Sequence, residues 1–421
     1  MFLLVHPTGN TYVRNDLRAL HEAGLLWRFL TGLGGARDGP MSKLPWPEAW
    51  RGQWHRRSYD LPPALVQTQP LRETLRLLAP RLGLDSLARH ERGWASVDAV
   101  FRALDRAGAA LVKRASRTFH AHGPKAVFTY EDGAEFTLAA ARRAGWAGVY
   151  HLPIAYGPYA RQIFQDEAQR LPDWAPTLQG DRDSPAKLAR KERELELATM
   201  VVCPSRFVLE SLPASIRQAK RCHVVPYGAP PPPPALASDP RDATPGRPLR
   251  LLFAGALSQR KGLADVFAAL RLLGRPRDVE LVLLGRPCAP WKFYHDQGVP
   301  FTPEAPRGNE GVLELMGRCD ALVLPSLVEG RAIVQLEALS RGLPLLVTPN
   351  AGGDDLIVPG ETGFLVPIRD PARLAHKIAW LCDHRAQLPA LRAACRARAE
   401  LVSWESYRRQ MRAAVAPASG D

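Results

Sequence analysis

Residues 229–248 read APPPPPALASDPRDATPGRP, and no regular element can run through them. Proline lacks the backbone N–H that a helix interior or a central strand needs, and successive prolines favour extended polyproline geometry. The chain must therefore fold as units on either side, residues 1–228 and 249–401, with 229–248 as the linker. At 421 residues it is long enough to give each unit a substantial core.

Both sides repeat one rhythm. FLLVH at 2–6 reads as a buried strand, PTGN as a tight loop, Thr11 to Ala23 as a helix stopped by Gly24, and Leu25 to Leu30 as a returning strand. Ala126 to Tyr130, Gly148 to His151 and MVVCPS add strands separated by helical stretches. Beyond the prolines come the strand LRLLFAGA, the loop LSQRKG, a helix over Leu263 to Leu273, and a strand over Val279 to Leu284 ending at Gly285. Ala321 to Leu324, a helix, and Leu345 to Val347 follow. Such alternation predicts an α/β chain with parallel, doubly wound sheets, in which ligands gather at the carboxyl ends of strands. GLGGARDG at 32–39 is no dinucleotide fingerprint, because no GxGxxG there follows a strand and opens a helix.

Two loops carry chemistry. After the strand Ala321 to Leu324 the chain offers Glu329, then free backbone N–H groups around Arg331, Ala332, Ile333 and Val334 at a helix start, and Glu337 about two turns on. A helix N-terminus suits a diphosphate, and carboxylates accept hydrogen bonds from sugar or ribose hydroxyls. In LSQRKG, Arg260 brings a forked guanidinium and Lys261 a point charge, both fit to neutralise a diphosphate. On their own the two glutamates read more simply as a solvated helix residue and a partner for the helix dipole.

The stretch PSLVEGRAIVQLEALSRGLPLLVTPNAGGDDLIVPGETGFLVP resembles the nucleotide-sugar site of family-four retaining glycosyltransferases, which have the GT-B fold. The resemblance implies two Rossmann-like domains facing a central cleft, with the terminal helix at about 402–421 crossing back to the first. It implies that Glu329 contacts the transferred sugar and Glu337 the nucleotide ribose, and that Arg260 and Lys261 hold the pyrophosphate. Gly255 and Gly285 would line the donor, Thr8, Gly9 and Asn10 would face the cleft from the acceptor side, and His151 would stand near the reacting sugar. The sequence departs from the family at Arg331, Ala332 and Ala256. The implied activity is retaining transfer of a sugar from a nucleoside diphosphate sugar to a glycan or glycolipid acceptor in cell-surface polysaccharide or glycolipid synthesis. No metal and no further cofactor are expected.

The formal net charge of +14 suggests an anionic partner: nucleotide, acidic glycan, anionic lipid or nucleic acid. No recognition motif supports nucleic acid. Basic amphipathic stretches at about 70–120 read first as solvated faces and, more sharply, as a peripheral contact with an anionic membrane. Six scattered cysteines without zinc spacing argue against a metal or disulfide framework, so the expected compartment is the cytoplasm, with or without attachment at the inner face of the membrane. No signal segment or membrane span is expected. Two rivals remain from the sequence: a nucleotide-sugar epimerase of the same fold, and a non-enzymatic protein that binds glycans or anions at a degenerate site.

Overall fold

The structure is a computed structural model that describes residues 1–37, 39, 52, 54, 56–118, 123, 125–178, 183–234 and 246–416. The middle of the expected linker, 235–245, and the last five positions of the expected terminal helix lie outside the described residues.

Fifteen strands are described: β1 (Phe2–Val5), β2 (Leu26–Thr31), β3 (Gly35–Ala36), β4 (Ser58–Tyr59), β5 (Val66–Thr68), β6 (Ala126–Tyr130), β7 (Ala147–His151), β8 (Met200–Cys203), β9 (Arg221–Val224), β10 (Leu249–Ala254), β11 (Val279–Leu284), β12 (Thr302–Glu304), β13 (Ala321–Leu324), β14 (Leu345–Val347) and β15 (Gly363–Leu365). They build a seven-stranded sheet in the order β5-β2-β1-β6-β7-β8-β9, a six-stranded sheet in the order β12-β11-β10-β13-β14-β15, and the short ladder β3-β4. Every described pairing is parallel. The central strands are continuous apolar runs because helices cover both faces, and β1, β8 and β13 are buried at every position.

The strand order reverses once in each sheet, between β1 and β6 and between β10 and β13. Crossovers diverge there, leaving a crevice at the carboxyl ends of those four strands. The loops carrying Thr8 to Asn10, Glu131, Gly255 to Lys261, and Pro325 to Glu329 are therefore the ones each sheet presents to a ligand.

Among the segments that tie the units together, two lie outside the crevice loops. The helix Trp404–Val415, capped by Ser403, packs on the helix Thr11–Glu22 beside the first sheet, and the Tyr407 hydroxyl donates to buried Asp16 at 2.5 Å. In the other direction, the 3-10 turn Pro172–Thr177 leaves the first unit and docks on the second. Trp174 there packs edge-on against Phe293 at 4.8 Å, and against Phe267 and Tyr294 at 6.0 Å. Beside it the Glu167 carboxylate accepts from Arg170, Gln259 and Arg369, joining residues of both units.

Candidate functional site

Glu329, Arg260 and Lys261, remote from one another in sequence, meet at the carboxyl end of the second sheet. Lys261 Nζ stands 2.6 Å from Glu329 Oε1, and Arg260 Nη1 donates to the same oxygen at 2.9 Å and to the Val328 carbonyl at 3.3 Å. The turn Gln259–Lys261 ends at Gly262 in the left-handed region (φ 79°). A side chain there would strike the Pro325 carbonyl, so only glycine lets this turn lie against the β13 loop. Lys261 is 9% exposed, and burial pulls its pKa down against the opposing pull of Glu329. The arrangement is a desolvated cation held in place by a carboxylate.

Gly255 and Gly285 end the adjacent strands β10 and β11 in contact with each other. A Cβ on Gly285 would fall 1.7 Å from the Gly255 carbonyl, while the Lys261 chain lies over Gly255. Glu337 is half-buried on the helix Ile333–Ser340, and burial raises its pKa against a hydrogen bond from Asn309 at 2.5 Å. Asn309 was not singled out in the sequence, since its element lies in the irregular segment before Leu313.

The helix start differs from the sequence expectation at one backbone N–H. The Ala332 N–H is occupied by the Ala351 carbonyl at 3.2 Å, so it is no free anion donor, whereas those of Ile333 and Val334 meet no backbone acceptor among the described residues. The Arg331 side chain is buried and turned away, bonded to the Gly352 carbonyl at 3.1 Å and to both Asp355 oxygens at 2.5 and 3.0 Å. Its charge fixes the loop Asn350 to Asp355 and is not offered to a donor.

Across the crevice, Gly330 touches the first unit with backbone alone. The Ser205 hydroxyl donates to its carbonyl at 2.6 Å, and a Cβ on it would fall 1.7 Å from the Pro153 carbonyl. Leu327 and Val328 complete the apolar cluster that holds β7 and β8. A cavity of about 290 Å³ opens beside this contact, where Arg260 and Val328 face Glu131, Arg161, Asp183 and Lys191. Glu131 follows β6, and burial lifts its pKa to about 7 against the ammonium of Lys191 3.6 Å away. The sequence signal for it was the Glu131–Asp132–Gly133 run after a strand, which marks a loop but no role.

His151, implied by the family resemblance to stand near the reacting sugar, is fully buried at the end of β7. Its ring has no exposed surface: Nε2 pairs with the Tyr227 hydroxyl at 3.1 Å, Nδ1 lies 3.5 Å from the Asp16 carboxylate, and the ring stacks on Tyr130 at 5.2 Å. It packs within the aromatic core. Of the loop after β1, Thr8 is half-buried, Asn10 caps the helix Thr11–Glu22 through the Val13 N–H at 3.1 Å, and Gly9 lies under the Tyr59 ring. Among the described residues one group, His90, Glu91 and Asp183, brings potential metal ligands within 4.8 Å of one another, and Asp183 there already pairs with Lys187 and Lys191.

Two doubly wound parallel sheets, joined by a returning terminal helix and facing each other across a crevice, define the GT-B class of proteins. Within the second unit, residues 248–384 match the model of the family "Glycosyl transferases group 1". The chain is 34% identical over 163 residues to the glycogen synthase of Mycobacterium tuberculosis, covering 37% of this chain and 39% of that protein. It thus spans about two fifths of the length of that relative. Its fold is that of sucrose-phosphate synthase from Thermosynechococcus elongatus, with TM-score 0.63, 18% identity, and 97% and 96% of the two chains covered. Anabaena HepE, solved in complex with UDP, matches with TM-score 0.59 at 18% identity, over 97% of each chain.

Proposed function

We propose that the chain is a retaining, metal-independent glycosyltransferase that moves a sugar from a nucleoside diphosphate sugar to a hydroxyl of a glycan or glycolipid. The observation that carries this reading is the meeting of Lys261, Arg260 and Glu329 at the crevice. Charge develops on the departing diphosphate, and preorganised cations in a water-poor site stabilise it most strongly there. Arg260, Lys261 and the free N–H groups of Ile333 and Val334 supply that field from the protein itself. Glu329 faces the sugar, and Glu337 with Asn309 faces the ribose.

The acceptor lies in the cavity beside Arg260, on the first unit's side. Its hydroxyl oxygen bonds to the anomeric carbon as the bond to the diphosphate oxygen breaks, and the hydroxyl proton passes to the departing phosphate. Attack on the face the diphosphate leaves retains configuration and requires no covalent carboxylate.

Thermal unfolding with UDP, GDP, ADP and dTDP tests the donor site. One nucleoside diphosphate at a hundred times its dissociation constant is expected to stabilise the chain by about 2.7 kcal/mol. UDP is the first to try, being the ligand of HepE. Glu337→Ala should weaken that shift through the lost ribose contact. A chain whose melting responds to none of the four would not support the donor-site reading.

A further inference from the structure

The surface between Leu71 and Val97 reaches the crevice cavity through His90, but its exposed apolar side chains have no part in the site described above. Among the described residues, five of the thirteen exposed large apolar side chains fall in this short stretch: Leu71 (65% exposed), Leu82 (61%), Leu84 (45%), Trp94 (45%) and Val97 (54%). They belong to one packed unit. The helix Pro70–Leu78 runs into two 3-10 turns, the Leu84 N–H bonds the Ala79 carbonyl at 2.8 Å, and the Ala95 N–H bonds the Leu87 carbonyl at 2.8 Å. The Arg72 guanidinium covers the Trp94 ring at 4.2 Å.

The apolar groups project singly. Gly83 turns the chain in the left-handed region (φ 69°) between Leu82 and Leu84, with nothing within 4 Å of where its Cβ would stand. Exposed Arg81, Arg89 and Arg92 lie between these groups, against one exposed acid, Asp85. Arg89 and Arg92 make no ion pair among the described residues. Isolated leucines and a tryptophan interleaved with guanidiniums offer no continuous apolar face to a folded partner. They match a bilayer interface, where apolar tips enter the headgroup layer and arginines meet lipid phosphates.

We propose that residues 71–97 dock the chain on an anionic membrane surface. His90, within this stretch, lines the crevice cavity together with Asp183, and Glu91 accepts from the Ser184 N–H at 2.9 Å. Docking therefore brings the mouth of the crevice beside the bilayer. The docking itself does not rest on the glycosyl-transfer reading; only the delivery of a lipid-borne acceptor to the crevice does.

Co-sedimentation of the full chain with phosphatidylcholine vesicles, and with equimolar phosphatidylcholine and phosphatidylglycerol, tests the proposal. Binding to the anionic vesicles alone is expected. The joint change Arg81→Gln, Arg89→Gln and Arg92→Gln should weaken it by roughly 100-fold. Leu82→Ser with Leu84→Ser and Trp94→Ser should weaken it by roughly tenfold or more, while Leu272→Ser, on an exposed leucine of the second unit, leaves it unchanged. All these positions are exposed, so the variants should keep the parent melting temperature. Equal binding to neutral vesicles, no binding, or an arginine variant that binds like the parent overturns the proposal. Retention of polyuridylate through the same arginines without vesicle binding assigns the surface to nucleic acid and overturns it too.

Discussion

Lys261→Ala is expected to lower turnover by about 100-fold or more, the scale seen when one preorganised charge-stabilising donor is lost. The ammonium is buried, so its field on a departing diphosphate is weakly screened, and Glu329 at 2.6 Å holds it in place. Arg260 shares the same carboxylate oxygen but is more exposed, at 18% of its side chain, so it should compensate only in part. The measurement is a single-turnover rate with whichever nucleotide sugar the melting experiments select. Nucleotide binding in the variant should remain measurable through the ribose and backbone contacts. A variant that turns over at the parent rate would place Lys261 outside the mechanism.

Trp174→Ala is expected to destabilise the protein by about 3–5 kcal/mol, the usual cost of truncating a buried tryptophan. The indole is 4% exposed and lies against three aromatic rings of the unit to which its own strands do not belong. The loss should therefore appear as weakened attachment between the units. Hydrogen exchange would report it as lost protection along Pro172–Thr177 and Trp291–His295, because a chain of two units need not unfold in one step. Trp94→Ala, on an exposed ring, should stay within about 0.5 kcal/mol of the parent. A change below about 1 kcal/mol for Trp174→Ala would mean that the interface draws its strength elsewhere.

Much of this fold could be read from local pattern. Ala126–Tyr130, Val279–Leu284, Ala321–Leu324, Leu345–Val347 and the helix Leu263–Leu273 stand where the apolar runs and glycine stops placed them. Buried parallel strands leave little ambiguity once turn residues bound them. Strands β12 and β15 were not identified, being three-residue edges with Pro303 inside one and Gly363 opening the other. The loops bearing Glu329, Arg260 and Lys261 were legible as loops after strands, but their meeting depends on β10 and β13 being neighbours, which no local pattern encodes. The same holds for Arg331: the sequence places its backbone N–H near a helix start, and only the fold reveals Asp355 as the partner of its side chain. His151 poses a similar question, since a polar residue ending a strand can face the crevice or turn inward, and only the fold reveals Tyr227 and Asp16 as its partners.

The bond from Tyr407 to Asp16 closes across 391 residues of chain, and it bears on how the protein is made. At roughly 5–20 residues per second, about 20–80 s separate synthesis of these two positions. During that interval the first sheet can form, but the helix Thr11–Glu22 waits with one flank uncovered. Protection of the nascent chain thus depends on how long the ribosome takes to deliver a helix that belongs, by contact, to the beginning. Slow translation late in the message would lengthen the exposure, and with it the chance of association between unfinished copies.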